Sequence, residues 1–169
     1  MKLPLKRQSA DDFQTPPEAL EPLYPYLKKE WVIWEPATGK GNLAKALREW
    51  RDWPHGVIES DILFSQDFLT WQPKREHWDC IITNPPFSLK QQFLERCYAL
   101  GKPFALLLPL TTFETAKRQK LFRENGVEVI FFPKRINFET PNKVAHSSAW
   151  FATAWFTHGL KIGKELTFT

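Results

Sequence analysis

The chain has 169 residues, enough for one domain with a core of its own. Its composition is 43% hydrophobic and 15% aromatic, which excludes an intrinsically disordered chain. No apolar run approaches the roughly 20 residues that span a membrane, and the net charge of +4 permits nucleic-acid binding without requiring it.

Cysteine and histidine placement argues against stabilisation by disulfides or metal. Cys80 and Cys97 lie in apolar segments and fit a reducing compartment better than a disulfide framework. The four histidines are scattered, and no Cys/His spacing is typical of zinc, so we expect no metal. The N-terminus lacks the apolar stretch of a signal peptide, so we expect a cytoplasmic protein without membrane contacts.

The N-terminal part predicts a tail, residues 1–11, followed by one domain over residues 12–160. Thr15 can cap a helix that has Pro16 at its first position, and an apolar stripe continues to about Lys29. Pro22 and Pro25 predict that this helix is broken.

A strand, a glycine turn and a helix then follow one another. The apolar run at 31–34 predicts the strand, and residues 42–50 the helix. The turn between them reads Glu35-Pro36-Ala37-Thr38-Gly39-Lys40-Gly41. Glycines let a ligand approach the backbone, and a helix start offers free N–H groups, as in a Rossmann-like nucleotide site. By itself, the Gly-x-Gly pattern also fits an ordinary tight turn.

A second strand, Gly56–Glu59, ends in an acid at the distance expected of a ribose-binding carboxylate. Asp61 is a second candidate, and both residues also fit exposed loop carboxylates. Residues 65–69, which contain Asp67 and Phe68, predict a short third strand or a turn. The spacing leaves no room for a full crossover helix, so we expect the helices of this part to be trimmed to loops.

The next apolar run, residues 79–83, ends in Asn84-Pro85-Pro86-Phe87. Two prolines end the ladder hydrogen bonds and stiffen the backbone, so the loop presents one amide and one aromatic ring. Carboxyl ends of parallel strands are where open α/β sheets bind ligands. A stiff turn without function is the alternative interpretation of this tetrapeptide.

The remaining pattern completes an α/β domain with helices on both faces of a mostly parallel, seven-stranded sheet. Strands are predicted at 104–110 and 127–132, with a basic helix at 112–124 between them. A last strand, 148–158, should pair antiparallel with its predecessor, and residues 161–169 should form a C-terminal tail. Basic side chains between the last two strands fit either phosphate contacts or a solvated hairpin tip: Lys134, Arg135, Lys143 and His146.

These motifs, in this order and spacing, resemble the S-adenosylmethionine-dependent amino-methyltransferases, particularly compact phage-type DNA adenine-N6 methyltransferases. The resemblance runs from about Asp12 to His158, and Asn-Pro-Pro-Phe is its most specific element. It implies a Rossmann-like class I methyltransferase fold and S-adenosylmethionine as the cofactor.

The resemblance also implies a role for each matching position. Thr15 and Pro16 would contact the methionine end of the cofactor, and Glu35 to Gly41 would wrap its methionine and ribose portions. Glu59 or Asp61 would take the ribose hydroxyls. Asp67 would accept from the adenine amino group, with Phe68 flanking the ring.

The Asn84 loop suits methylation of an exocyclic amine, whose lone pair is delocalised into the ring. The Asn84 side-chain oxygen and the Pro85 carbonyl can accept its two hydrogens and stabilise the charge that develops on nitrogen. Pro85 and Pro86 keep these acceptors preorganised, and Phe87 offers a stacking face. A base within a duplex would first have to be flipped out.

Several alternatives stay open. The same chemistry fits adenine in RNA or N4 of cytosine, and the chain could also be an inactive subunit that only binds nucleic acid. DNA is favoured over RNA as the partner. Larger members of the family carry a separate target-recognition segment, for which we see no room, so a specificity partner is one expectation.

Overall fold

A seven-stranded sheet frames the structure, a computed structural model that describes residues 14–50, 56–138 and 151–169. The strands are β1 (Ile33–Glu35), β2 (Val57–Glu59), β3 (Cys80–Thr83), β4 (Phe104–Pro109), β5 (Glu128–Phe131), β6 (Thr153–His158) and β7 (Leu166–Phe168). The helices are α1 (Asn42–Glu49), α2 (Lys90–Leu100) and α3 (Ala116–Asn125).

The strands are ordered β2-β1-β3-β4-β6-β5-β7. β1 pairs in parallel with β2 and β3, and β3 pairs in parallel with β4. β6 runs antiparallel to both of its neighbours, whereas β5 and β7 are parallel. The predicted mostly parallel sheet and the antiparallel pairing of the 148–158 strand with its predecessor are both confirmed.

Side chains that alternate along the strands separate the core into two layers. One layer packs Ile33, Ile82 and Leu107 under the N-terminal 3-10 helix and α1. The other packs Trp34, Ile81 and Leu106 under α2 and α3. Because both faces are covered, every residue of β3 and β4 is buried, as expected of parallel strands between helices.

The N-terminal helix differs from its prediction. It is a 3-10 helix, Pro17–Tyr26, and Pro16, with no side-chain hydrogen bond, precedes it as the capping residue. Thr15 is therefore not its cap. The internal prolines Pro22 and Pro25 lack the N–H groups that a regular α-helix needs, which accounts for the tighter and irregular winding.

Residues 65–69 form turns and not a third strand. Asp67 accepts a hydrogen bond from the Leu69 N–H at 3.0 Å, and its carbonyl accepts from the Trp71 N–H at 2.7 Å. A side chain that closes such a local turn competes with extended backbone. The seventh strand is instead β7, which lies within the segment predicted as the C-terminal tail and pairs with β5.

In the described ranges, no helix combines the length and hydropathy needed to cross a membrane. Within the same ranges, no cluster of three or more His, Cys, Asp or Glu side chains is arranged to hold a metal ion. The predicted N-terminal tail, residues 1–11, lies outside the described residues, as do Lys143 and His146.

Candidate active site

Several of the predicted site residues lie at the carboxyl edge of the parallel strands. β1 ends at Glu35, which pairs in register with Glu59 at the end of β2. β3 ends at Thr83 and leads into Asn84. The parallel register therefore brings the glycine turn, the acids after β2 and the proline loop to one edge of the sheet.

The glycine turn adopts a backbone that other residues rarely tolerate. Gly39 and Gly41 have φ values of 54° and 82°, both in the left-handed region. Gly41 precedes α1 as its capping residue, and its N–H donates to the Thr38 carbonyl at 2.8 Å. A side chain at Gly41 would begin 3.5 Å from Oε2 of Glu59, so this turn and the end of β2 are in close contact.

Glu35 is buried at the start of this turn, only 1% exposed. Its Oε1 accepts hydrogen bonds from the Ala37 N–H at 3.1 Å and from the Thr83 hydroxyl. The pKa of Glu35 is raised to about 8, chiefly by burial and also by the nearby Glu59 and Asp61 carboxylates, while the hydrogen bonds from Thr83 and Ala37 act in the opposite direction. Among the described residues, Oε2 of Glu35 has no hydrogen-bond partner.

Glu59 and Asp61 hold the glycine turn in different ways. Glu59 accepts from the Thr38 hydroxyl at 2.6 Å and forms an ion pair with Arg48 of α1. Asp61 accepts from the Gly39 N–H at 2.9 Å and from the Leu63 N–H at 3.0 Å. The Glu59 side chain is 29% exposed, whereas Asp61 is buried. Glu59 is therefore the more accessible of the two carboxylates to a ligand from solvent.

The segment before the N-terminal 3-10 helix reaches the same turn. Gln14 accepts a hydrogen bond from the Lys40 N–H at 3.4 Å through its side-chain oxygen. Thr15 follows it and is buried, and its hydroxyl has no hydrogen-bond partner among the described residues. Pro16 is half-buried beside it.

Asp67 and Phe68 occupy different environments. Asp67 is half-buried, and its side chain closes the turn toward Leu69. Phe68 is only 2% exposed and packs in the core against Trp34 and Phe93, with ring centroids 5.2 and 4.6 Å apart. The contact of Phe68 with a cofactor ring stays a prediction, and the ring packs against core side chains.

The proline loop is held on both sides of its prolines. Asn84 and Phe87 are half-buried and Pro85 is buried. Phe87 begins a 3-10 turn, Phe87–Leu89, in which the Leu89 N–H donates to the Pro86 carbonyl at 2.9 Å. The loop therefore presents its amide and its ring from a fixed backbone.

The Phe87 ring contacts two aromatic side chains that lie on either side of residues 139–150. Its centroid is 6.4 Å from that of Phe138 and 5.4 Å from that of Phe151, with both pairs edge to face. These contacts place Phe138 and Phe151 beside the proline loop.

The basic residues after β5 border a groove. Lys134 and Arg135 are exposed and, with Glu18 and Glu21 of the 3-10 helix, line a cavity of about 720 Å³. This groove carries charges of both signs. Lys143, predicted with them, lies outside the described residues.

Two residues whose hydrogen bonds link the segments of the site were not predicted from the sequence. Thr83 reads as an ordinary buried strand residue, yet its hydroxyl joins β3 to the glycine turn. Ser60 accepts from the Trp34 indole N–H at 2.8 Å, while its backbone pairs with Glu35 and Thr38. The sequence signal that could have identified Thr83 is its position directly before Asn84.

Comparison with known proteins places the fold among methyltransferases. No protein-family model matches the sequence, and a search of curated proteins gives no match. The methyltransferase subunit of a type I restriction-modification system from Streptococcus thermophilus matches 93% of this chain, with a TM-score of 0.59 and 16% identity. This chain spans about half of that protein, 47% of its length.

Two further solved structures agree. A putative RNA methyltransferase from Pyrococcus horikoshii matches 93% of this chain and 90% of its own length, with a TM-score of 0.59 and 14% identity. A modification subunit of a putative type I restriction enzyme from Vibrio vulnificus matches 89% of this chain and 45% of its own length, with a TM-score of 0.54 and 14% identity. The mixed α/β sheet of this chain therefore has the Rossmann-like fold of these methyltransferases.

Proposed function

We propose that this chain is an S-adenosylmethionine-dependent methyltransferase that modifies the exocyclic N6 amine of adenine in DNA. One observation carries the proposal: the Asn84-Pro85-Pro86-Phe87 loop follows directly from Thr83, which is hydrogen-bonded to Glu35 of the glycine turn. A potential amine-binding loop and a potential nucleotide-binding turn thus share one edge of the sheet.

The residues around the glycine turn fit the proposed cofactor. Oε2 of Glu35 and the hydroxyl of Thr15 are buried polar atoms without partners among the described residues, and such atoms are costly unless a ligand satisfies them. They flank a turn whose left-handed glycines keep the backbone open to a ligand. When bound, S-adenosylmethionine supplies an electrophilic methyl group.

The proposed chemistry belongs to the proline loop. The Asn84 side-chain oxygen and the Pro85 carbonyl accept the two hydrogens of the target amine, which frees the nitrogen lone pair from the ring. The same oxygens stabilise the positive charge that develops on nitrogen. Phe87 stacks on the base, and Lys134 and Arg135 hold phosphates.

Either Glu59 or Asp61 takes the ribose hydroxyls. Glu59 is the more exposed, whereas Asp61 is oriented by two backbone N–H groups. Calorimetry with S-adenosylhomocysteine on Glu59→Gln and Asp61→Asn separates them. The variant that loses more affinity at an unchanged unfolding midpoint identifies the ribose ligand.

Methylation of matched DNA and RNA tests the function itself. We expect labelled cofactor to yield N6-methyladenine in unmodified DNA. Asn84→Ala should reduce transfer by roughly 100-fold or more while cofactor affinity is retained. Asn125→Ala, in which the lost amide only bonds the Leu121 carbonyl of its own helix, is the matched control and should keep full activity. Unchanged transfer by Asn84→Ala would refute the assigned chemistry.

Adenine in RNA is the second candidate substrate. The putative RNA methyltransferase from Pyrococcus horikoshii is matched over nearly its whole length, whereas the type I subunits are matched over about half. Label that enters only RNA would select this candidate. N4-methylcytosine would select the cytosine alternative, and cofactor binding without transfer to any substrate would select an inactive subunit or one that requires a specificity partner.

A further inference from the structure

The carboxyl group of Glu35 touches both halves of the proposed site. Oε1 accepts from the Ala37 N–H of the glycine turn and from the hydroxyl of Thr83, which directly precedes Asn84. Oε2 has no partner among the residues that the structure describes. One oxygen therefore joins the two halves, while the other is left for a ligand.

The surroundings of Glu35 favour its neutral form in the empty protein. Glu59 and Asp61 approach from the end of β2 and add negative charge, and burial removes the solvation of an ionised carboxylate. Arg48 of α1 forms its ion pair with Glu59. Thr83 on β3 is neutral. Because Oε1 accepts twice, the proton of the neutral carboxyl belongs on Oε2.

We propose that Glu35 is a proton-linked positioning residue, protonated in the empty protein and ionised once the α-ammonium group of the cofactor's methionine portion contacts Oε2. This inference rests on the proposed function. The O–H bond at Oε2 breaks, its proton passes to the solvent, and an ammonium N–H donates to the same oxygen. No oxidant or further reactant is involved.

The same change reaches the proline loop. An ionised carboxylate accepts hydrogen bonds more strongly than a neutral carboxyl, so the bond from Thr83 to Oε1 strengthens in the complex. The end of β3, and with it the backbone that carries Asn84, is held more firmly when the methyl donor is present. Glu35 acts here through Thr83 and does not touch the target base.

Proton release on binding tests the inference without any activity measurement. Calorimetric titration with S-adenosylhomocysteine at pH 7, in two buffers that differ in ionisation enthalpy, counts the protons released. We expect close to one proton per cofactor from the wild type and none from Glu35→Gln. Wild-type affinity should rise roughly tenfold or more from pH 6 to pH 8, whereas the affinity of Glu35→Gln should stay flat.

Methylthioadenosine, which lacks the ammonium group, tests the assigned contact. It should bind the wild type without proton release. An equal release would overturn the ammonium assignment. Glu59→Gln is the matched carboxylate control and should still release the proton, even if it binds more weakly.

The outcomes also separate this inference from the proposed function. A wild type that binds S-adenosylhomocysteine without releasing a proton overturns the inference alone. A wild type that does not bind it at all overturns the proposed function. Glu35→Gln keeps an oxygen that can accept from Ala37 and Thr83, and its unfolding midpoint verifies the fold. If that variant does not fold, the wild-type proton count at pH 7 decides.

Discussion

The hydroxyl of Thr83 donates a hydrogen bond to Oε1 of Glu35, across 48 positions of sequence. Thr83 ends β3 and precedes Asn84, while Glu35 ends β1 and begins the glycine turn. A single buried contact thus joins the two segments that the proposed reaction needs side by side.

Thr83→Val removes this bond at nearly constant volume. Because Thr83 and Glu35 are both buried, the lost donor should cost roughly 1–2 kcal/mol of unfolding free energy. Methyl transfer should fall more than cofactor affinity, since the backbone before Asn84 loses its anchor. Urea unfolding and single-turnover transfer measure the two effects. Thr83→Ser keeps the hydroxyl and should behave like the wild type. If Thr83→Ser lost as much stability and methyl transfer as Thr83→Val, the hydrogen bond to Glu35 would not be the cause of the loss.

Glu35 should make the empty protein less stable as the pH rises. Its ordinary pKa is 4.5, whereas its pKa in the folded protein is about 8. Between these values the unfolded chain ionises while the folded protein keeps its proton. The stability contribution is therefore complete below pH 4.5 and is lost as the pH rises toward 8, by up to about 1.4 kcal/mol per pH unit.

Urea unfolding of Glu35→Gln from pH 5 to pH 8 checks this sign. The variant is neutral at every pH, so its stability relative to the wild type should increase with pH. Glu114→Gln, which changes an exposed carboxylate, is the control and should parallel the wild type. A constant difference between wild type and Glu35→Gln would show that Glu35 does not titrate in this range.

Phe68→Ala should destabilise the protein and not act primarily on cofactor binding. The ring packs against Trp34 and Phe93 in the core, so its removal should cost about 3–5 kcal/mol in urea unfolding. Phe64→Ala, four residues earlier and 61% exposed, should change stability by no more than about 0.5 kcal/mol. If Phe68→Ala kept its stability and lost cofactor affinity, that result would support the contact between Phe68 and the cofactor ring that the sequence predicts.

Arg118→Met should be costly although Arg118 lies on a basic helix. The guanidinium is buried and donates to the Thr112 carbonyl at 2.5 Å and the Thr111 carbonyl at 3.4 Å. Its loss should lower unfolding free energy by about 2–3 kcal/mol. Arg123→Met, exposed on the same helix, is the control and should be nearly neutral. Equal effects in urea unfolding would mean that Arg118 behaves as a surface residue.

Lys134→Ala combined with Arg135→Ala should weaken nucleic-acid binding without affecting the fold. Both residues follow β5 at the carboxyl edge and are exposed. Loss of two phosphate contacts should lower the slope of log affinity against log salt by about two.

The control is Lys161→Ala combined with Lys164→Ala. These residues follow His158, which pairs with the first residue of β4, so their loop lies at the opposite edge of the sheet. This double variant removes the same charge and should leave both affinity and slope nearly unchanged. Equal losses in the two double variants would indicate an effect of net charge alone.

Local patterns in the sequence were enough to predict the main elements. Buried strands appear as short apolar runs, α1 follows a Gly-x-Gly turn, and the paired prolines after β3 end that strand. These features depend on neighbouring residues, through backbone geometry and the apolar content of each segment. The same locality explains one wrong interpretation, because Pro16 precedes a 3-10 helix that Thr15 does not cap. It also left residues 65–69 open between a strand and the turn that Asp67 closes.

Tertiary structure decided which of these residues meet. The register of β1, β2 and β3 brings Glu35 to Thr83 and close to Glu59, and packing turns Phe68 into the core. The seventh strand, β7, completes the sheet only because it pairs with β5, a strand more than 30 residues earlier in the chain. The sequence by itself determined the proline loop and the glycine turn. The contact through which the Glu35 carboxyl joins them depends on long-range strand pairing and burial, which no local pattern encodes.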